Sequence, residues 1–137
     1  MLGITIVEGL MEILGSVHAA GYVHNDLKAD QVAVDMGVSG VDITLLDLGK
    51  MTKIGGRPYK DFRKSGKKRL RENSSHLAPE AIEGQEVTPS SDIFSLGTLI
   101  EDVGSPAFYK EVSGIVALAA EEDPRDRPNI QAIREIF

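Results

Sequence analysis

The sequence predicts a mainly helical α+β domain that contains one short β-hairpin. Apolar residues recur at helical spacing near the N-terminus, and capping and helix-breaking residues delimit further helices in the second half. Two short β-type runs, at 32–34 and 43–46, flank a stretch rich in turn formers. Because the chain has 137 residues, 42% of them hydrophobic, we treat residues 1–137 as one domain or part of one.

The first half of the chain is predicted to form a helix followed by the hairpin. The helix covers 4–20 and ends at Gly21, which suits the position just after a helix. Tyr22 and Val23 follow as a very short extended piece. The turn formers at 35–40 join the two predicted strands into the hairpin. The helical spacing is that of Ile6, Leu10, Ile13, Leu14 and Val17.

A long basic segment follows the hairpin. Residues 50–75 show no sustained hydrophobic period, which predicts a loop. Within it, residues 50–71 carry ten basic side chains and one acidic one, a local charge of +9, while the rest of the chain carries −15. Such a loop can attract phosphate or an acidic peptide, and the alternative is a mobile, solvated loop. The lack of aromatic interleaving and the acidic remainder argue against a nucleic-acid partner.

Helices are predicted for most of the second half. A short helix at 78–83 ends at Gly84. Ser90 or Ser91 caps a longer helix, and Asp92 lies in its first turn, where the helix dipole favours a carboxylate. The remaining predictions are an end to this helix near Val103, a break at Gly104, Ser105 and Pro106, and further helices at 112–121 and 128–137.

Composition excludes several classes of protein. The chain contains no cysteine, so disulfides, thiolate nucleophiles and cysteine-ligated zinc are excluded. No run reaches the roughly 18 apolar residues of a membrane span. Residues 1–14 are fairly apolar but lack a basic leader and contain Glu8 and Glu12, so no signal peptide is predicted. We expect a cytoplasmic chain without a membrane partner.

The most informative feature is the run HNDLKADQ at 24–31, which follows VHAAGYVH at 17–24 and precedes DLG at 47–49. Each motif alone is common in turns and caps, but their joint occurrence in this order is not. The arrangement resembles the catalytic loop and the metal-binding loop of a eukaryotic-type protein kinase domain. The resemblance implies the C-terminal lobe of that fold, with a hairpin that carries both loops and an activation segment at about 47–80.

The resemblance implies roles for five residues. Asp26 matches the catalytic aspartate, which orients the substrate hydroxyl and accepts its proton. Lys28 matches the catalytic lysine of Ser/Thr-type members, which also contacts the cofactor's transferring phosphate. Gln31 and Asp47 match the two magnesium ligands, although Gln31 replaces an asparagine and is one methylene longer. With Ala33, these residues form the implied site for ATP and Mg²⁺.

Three further motifs resemble the structural part of the same lobe. LAPE at 77–80 and DPRDRP at 123–128 place Glu80 and Arg127 at positions that pair near the base of the lobe. DIFSLG at 92–97 places Asp92 where an aspartate accepts hydrogen bonds from the catalytic-loop backbone. The resemblance thus assigns these residues to scaffolding.

The sequence departs from the family pattern in three respects. Asn25 replaces the arginine that pairs with an activation-loop phosphate, so the usual phosphorylation switch is not implied. Residues 72–75 lack the Gly-Thr pair whose threonine bonds the catalytic aspartate. The Gly-rich loop and the lysine–glutamate pair of the upper, N-terminal lobe find no match. We therefore expect the N-lobe to be absent from this chain.

Two hypotheses of function follow. The first is a protein kinase-like domain that transfers the γ-phosphate of ATP to a Ser or Thr hydroxyl of a protein and is inactive as an isolated lobe. The second is a pseudokinase, whose lobe is a non-catalytic protein-interaction module. A third class, small-molecule phosphotransferases, shares His-x-Asp and a later Asp, but LAPE and DPRDRP argue against it. The expected partners are a protein substrate, the missing upper lobe or a second copy of the chain.

Overall fold

The computed structural model describes residues 2–103 and 106–136. Within these residues, helices and two small antiparallel sheets form the mainly helical α+β architecture that the sequence predicts. No helix among them is long and apolar enough to cross a membrane. Single 3-10 turns lie at Ala29–Gln31 and Pro124–Asp126. The elements are α1 (Leu2–Ala19), β1 (Tyr22–Val23), β2 (Val32–Gly37), β3 (Gly40–Leu45), β4 (Thr52–Lys53), α2 (Lys64–Asn73), α3 (Pro79–Ile82), α4 (Pro89–Val103), α5 (Pro106–Ala119) and α6 (Ile130–Arg134).

The main core lies between α1, α4 and α5. The buried face of α1 is rotated by one position from the prediction, because Val7 and Met11 are buried while Ile6 and Ile13 are only half-buried. Gly97 on α4 allows α5 to approach closely, since a Cβ at Gly97 would lie 2.8 Å from the Cβ of Ala119. Gly21 adopts a φ of 90° after α1, which confirms the predicted helix end.

Strands β2 and β3 form the predicted hairpin, but they are longer than the sequence indicated. The antiparallel register runs from Val32 opposite Leu45 to Gly37 opposite Gly40, which leaves a two-residue turn at 38–39. Gly40 has a φ of 133°, a backbone conformation that glycine adopts without steric cost. The glycines at the strand ends therefore tighten a segment that composition alone marks as a long turn.

The prediction of a loop throughout residues 50–75 was wrong. Strand β4 pairs with β1, and α2 occupies Lys64–Asn73. Lysine, arginine and glutamate favour helices, but Leu70 is the single large apolar residue in α2, so no hydrophobic period marks the helix. Leu70 packs against a second buried cluster, which is formed by Val23, Tyr59, Leu77, Ala81, Ile82 and Val87.

Other boundaries differ by a few residues. Helix α4 begins at Pro89, before the predicted caps, and Ser91 instead accepts a hydrogen bond from the Thr88 amide through its Oγ at 3.1 Å. Helix α5 begins at Pro106 rather than near 112. The last helix begins at Ile130, not at Pro128, because the Asn129 side chain caps it. The last helix also ends at Arg134, so the prediction that it continues to Phe137 was wrong. The predicted break at Gly104 and Ser105 lies outside the described residues.

Candidate active site

The catalytic-loop motif is anchored to the start of α4 by one carboxylate. Asp92 is fully buried, and it accepts hydrogen bonds from the backbone amides of His24 at 2.8 Å and Asn25 at 3.0 Å. The sequence predicted this contact, which is confirmed. His18 Nε2 also lies 2.8 Å from Asp92 Oδ2, a contact that the sequence analysis did not assign. Three groups from the first 25 residues thus converge on Asp92, which fixes the loop relative to α4.

The loop backbone turns sharply at Asn25. Its φ is 66°, in the left-handed region that asparagine tolerates better than most residues. This turn lets consecutive amides point at the same carboxylate. The amide of Asp26 then donates to Nδ1 of His24 at 3.2 Å, which places the proton of a neutral His24 on Nε2. That Nε2 and the Asn25 Nδ2 are buried without a partner among the described residues.

Asp26 lies in a largely buried position with both carboxylate oxygens in contact. His76 Nε2 lies 2.9 Å from Oδ1, and Gln31 Nε2 lies 3.4 Å from Oδ2, at the long limit for a hydrogen bond. The structure therefore brings together two residues that the sequence predicted for the site, Asp26 and Gln31. It adds His76, which the sequence analysis did not assign. The one hint in the sequence was its position directly after residues 72–75, which lack the expected threonine.

The side chain of Lys28 is partly exposed, and Asp47 is exposed. The Lys28 ammonium lies 4.0 Å from Asp30 Oδ2 in a partly exposed contact, and it lines a cavity of about 380 Å³ together with His76. Asp47 is exposed, and its Oδ1 accepts from the Gly49 amide at 2.8 Å. Among the described residues, the side chains of Lys28 and Asp47 form no hydrogen bond or ion pair with Asp26, although Lys28 lies on the same loop.

The hairpin brings the predicted magnesium ligands to one end. The amide of Leu46 donates to the carbonyl oxygen of Gln31 at 2.8 Å, so Asp47 follows directly after the residue opposite Gln31. Ala33 lies opposite Thr44 and is half-buried on β2. The roles of Ala33, Gln31 and Asp47 remain predictions, but their positions share one edge of the hairpin.

The donor chemistry at this edge suits magnesium. Among the described residues no cluster of three or more His, Cys, Asp or Glu side chains could hold a metal ion. Magnesium in phosphoryl-transfer sites needs only one or two protein oxygens, because substrate phosphates and water complete its shell. Gln31 directs its amide nitrogen toward Asp26, which leaves Oε1 as its free oxygen, and Asp47 retains Oδ2. Gln31 and Asp47 therefore offer the type of oxygen ligand that magnesium binds.

Tyr59 was not identified from the sequence, yet it lies close enough to Asp26 to sense its charge. Burial and the negative charge of Asp26 both raise the pKa of the Tyr59 phenol. The ring packs in the second cluster and meets Phe62 edge to face, with the ring centroids 5.1 Å apart. Tyr59 is therefore a buried phenol, held within the second cluster and near the charge of Asp26.

The predicted long-range ion pair is confirmed. Arg127 Nη1 donates to Glu80 Oε2 at 2.7 Å and Nη2 donates to Oε1 at 2.8 Å, with both side chains almost fully buried. Ser91 Oγ donates to Glu80 Oε2 at 2.8 Å. Burial acts to raise the pKa of Glu80, but hydrogen bonds from Arg127, the backbone and Ser91 outweigh it and lower the pKa below its ordinary value.

Comparison with known proteins agrees with this geometry. The sequence model of the protein kinase domain matches residues 3–134. A probable serine/threonine-protein kinase of Thermomonospora curvata, PkwA, is 27% identical over 92% of this chain and 16% of its own length. The serine/threonine-protein kinase AfsK of Streptomyces coelicolor is 33% identical over 76% of this chain and 12% of its own length. The mouse serine/threonine-protein kinase ULK4 is 40% identical over 89% of this chain and 10% of its own length.

The chain thus spans between 10% and 16% of the length of these three relatives. The matched region covers every predicted site residue, from Asp26 to Asp47, and both partners of the buried ion pair. The chain belongs to the protein kinase domain family.

Proposed function

We propose that this chain is the C-terminal lobe of a Ser/Thr-type protein kinase domain, which transfers the γ-phosphate of ATP to a protein hydroxyl once an upper lobe completes the nucleotide site. The observation that carries the proposal is the clamp of Asp92 on the loop that bears Asp26. Phosphoryl transfer depends on positioning and charge stabilisation. A loop fixed to a buried helix by two amide hydrogen bonds supplies such positioning.

Each site residue then has a defined task. Asp26 accepts the proton of the substrate hydroxyl as the hydroxyl oxygen attacks the γ-phosphorus, the bond from that phosphorus to the β–γ bridging oxygen breaks, and ADP leaves. Lys28, on the same loop and partly exposed in the cleft, stabilises the negative charge of the transferring phosphoryl group. Gln31 and Asp47 would hold magnesium through their remaining oxygens. The ion, when bound, neutralises charge on the nucleotide phosphates.

The isolated chain is proposed to be inactive. Asp47 is exposed, and the edge of the hairpin that it shares with Gln31 lies open to water. Transfer requires that the phosphates be held in line and that water be excluded. A single lobe, which forms only one side of the cleft, can neither hold the phosphates in line nor exclude water.

Two features favour the alternative, a pseudokinase that acts as an interaction module. Both oxygens of Asp26 are already in contact with other side chains, and Gln31 is longer than the family's asparagine. A carboxylate that stays in these contacts would not receive a substrate hydroxyl.

Phosphotransfer to a Ser/Thr peptide separates these functions. We would compare the 137-residue chain with a fusion that carries the upper lobe of a kinase relative before residue 3. The proposal expects no turnover by the chain alone, and turnover by the fusion that Asp26→Asn abolishes. Turnover by the chain alone would overturn the proposed inactivity. A folded fusion that binds ATP but transfers nothing would establish the interaction module instead.

A further inference from the structure

We propose that His76 is the positioning residue of the candidate active site, which holds the Asp26 carboxylate in one orientation. This inference rests on the proposed function, because it concerns the same carboxylate. The contact joins His76 Nε2 and Asp26 Oδ1 at 2.9 Å. Their side chains are 10% and 14% exposed, so water competes little for either group. The contact spans 50 residues of sequence and is therefore a product of the tertiary fold.

The segment that carries His76 is itself fixed. Ser95 Oγ donates to the backbone carbonyl of His76 at 2.6 Å, and the neighbouring Leu77 and Ala78 are buried. The amide of Leu77 also closes a turn by donating to the carbonyl of Ser74 at 3.0 Å. The imidazole consequently projects from a rigid backbone rather than from a mobile loop.

The same helix holds both partners of the contact. Asp92, in the first turn of α4, accepts hydrogen bonds from the amides of the two residues before Asp26. Ser95, three residues later on the helix, donates to the carbonyl of His76. Residues three apart on a helix lie on the same face. One helix therefore fixes the positions of both His76 and the Asp26 loop. A reacting group that must be held in a precise geometry needs such a support.

The chemistry of the contact leaves one oxygen for the reaction. An ionised carboxylate only accepts hydrogen bonds, so His76 is the donor through Nε2–H. With Oδ1 engaged, the carboxylate plane is fixed, and Oδ2 faces Gln31 across a weaker contact of 3.4 Å. An incoming hydroxyl that displaces the Gln31 nitrogen would meet Oδ2. His76 does not touch the substrate in this arrangement, and it acts through Asp26.

A structural pair and an inhibitory cap are the competing interpretations of the contact. A purely structural pair would stabilise the fold without affecting the orientation of Asp26. An inhibitory cap would block Asp26, so its removal would raise the rate of transfer. If His76 positions Asp26, its removal should lower the rate of transfer and leave the Asp26 carboxylate disordered.

The experiment compares His76→Leu, which removes the donor, with His76→Gln, whose amide nitrogen can occupy the position of Nε2. Ser75→Ala is the matched control on the same segment, since Ser75 is exposed. The first readout is the Asp26 side-chain orientation in crystal structures of the 137-residue chain. We expect one orientation in the wild type, the Gln variant and the control, and a rotated or split carboxylate in His76→Leu. An unchanged carboxylate in His76→Leu would overturn the inference.

The second readout is phosphotransfer by the fusion that carries an upper lobe. His76→Leu should lower kcat by on the order of 10²-fold, the cost of misplacing a reacting group by about 1 Å, with an unchanged KM for ATP. His76→Gln should recover most of the loss. A rise in kcat would establish the inhibitory cap. If every fusion is inactive, the proposed function fails while the crystallographic readout still decides the role of His76. If His76→Leu does not fold, His76→Asn replaces it, because its shorter amide cannot reach Asp26.

Discussion

Arg127 donates two hydrogen bonds to the Glu80 carboxylate, of 2.7 Å and 2.8 Å, although the two residues are 47 positions apart in the sequence. The remaining donors of the guanidinium reach the backbone carbonyls of Ser90, Glu121 and Glu122, and its carbon lies 5.1 Å from the centroid of the Phe94 ring. The pair therefore ties α3 to the start of α4 and to the segment before α6. No donor of the arginine is left unused.

Removal of the arginine should destabilise the chain strongly. Arg127→Met strands the buried Glu80 carboxylate, and loss of one partner of a buried pair costs about 3–5 kcal/mol. The matched control is Arg125→Met, since Arg125 pairs with Asp123 in solvent and should contribute little. Urea denaturation measures the free energy of unfolding of each variant. Equal losses for the two variants would show that the buried pair has no special role.

Acid should weaken the same pair. The pKa of Glu80 is lowered in the folded state from its ordinary value of 4.5, so the unfolded chain takes up the proton first as pH falls. The contribution of Glu80 is then fully present above about pH 4.5 and is lost as pH falls through the folded pKa. We expect the difference in unfolding free energy between wild type and Glu80→Gln to shrink below that pH. A difference that stays constant down to about pH 3 would contradict this assignment.

Shortening Gln31 should improve the use of magnesium. In the fusion, Gln31→Asn restores the shorter amide and releases the 3.4 Å contact with Asp26. Because octahedral magnesium demands oxygen distances of about 2.1 Å, half-maximal activity should be reached at a lower magnesium concentration. Gln85→Asn, the same change at an exposed position, is the control. An unchanged or poorer response would remove Gln31 from the ligand set.

Glu83 should hold α2 in place. Arg71 Nη1 lies 2.8 Å and Lys67 Nζ lies 3.7 Å from the Glu83 carboxylate, which is about half exposed. Glu83→Ala should speed amide exchange across residues 64–73, while global stability changes by less than about 1 kcal/mol. Glu86→Ala is the control among nearby exposed glutamates. Added salt should narrow the difference between the two variants, since exposed pairs are screened. Identical exchange would show that Leu70 alone anchors the helix.

Exposed apolar residues on the hairpin should cause the chain to self-associate. Leu46 and Leu48 are 62% and 53% exposed, and Val34 and Met36 are also exposed, whereas Val32 is only half-buried against the core. Exposed apolar area of this kind favours association. Light scattering should detect oligomers at low and high salt, and Leu46→Ser with Leu48→Ser should reduce them more than Leu118→Ser on α5.

A monomer at both salt concentrations would refute the exposed-patch argument. A monomer at low salt that associates at high salt would instead favour the basic segment as a cover. Residues 50–71 of that segment carry a charge of +9, and the rest of the chain carries −15. Salt screens the attraction between them beyond about 10 Å.

The sequence predicted those parts of the fold that local chemistry determines. Gly21 and Gly84 were correctly assigned as helix ends, because both adopt a positive φ. The pairing of Glu80 with Arg127 came from the family resemblance. Helix α2 was not predicted from the sequence. Leu70 and the salt bridges to Glu83, outside the helix, stabilise it, and neither produces a hydrophobic period.

The candidate site divides in the same way. The resemblance of short motifs to those of the family identified four site residues, although their roles stay predictions: Asp26, Lys28, Gln31 and Asp47. His76, Ser95 and Tyr59 were missed. Their relevance depends on contacts between segments far apart in the chain, such as the 50 residues between Asp26 and His76. No local pattern encodes such a distance.

The close approach at Gly97 links helix packing to the alignment of the reacting groups. Asp92 and Ser95 lie on the same rigid helix as Gly97, whereas Asp47 follows a hairpin that packs on α1. A single methyl group at position 97 would collide with Ala119 and tilt α4 away from α5. The tilt would carry Asp26 and His76 together, with their mutual contact intact, and shift both relative to Asp47. Such a variant would keep the Asp26–His76 contact and keep Asp47 on its hairpin, but the two parts of the site would no longer be aligned with each other.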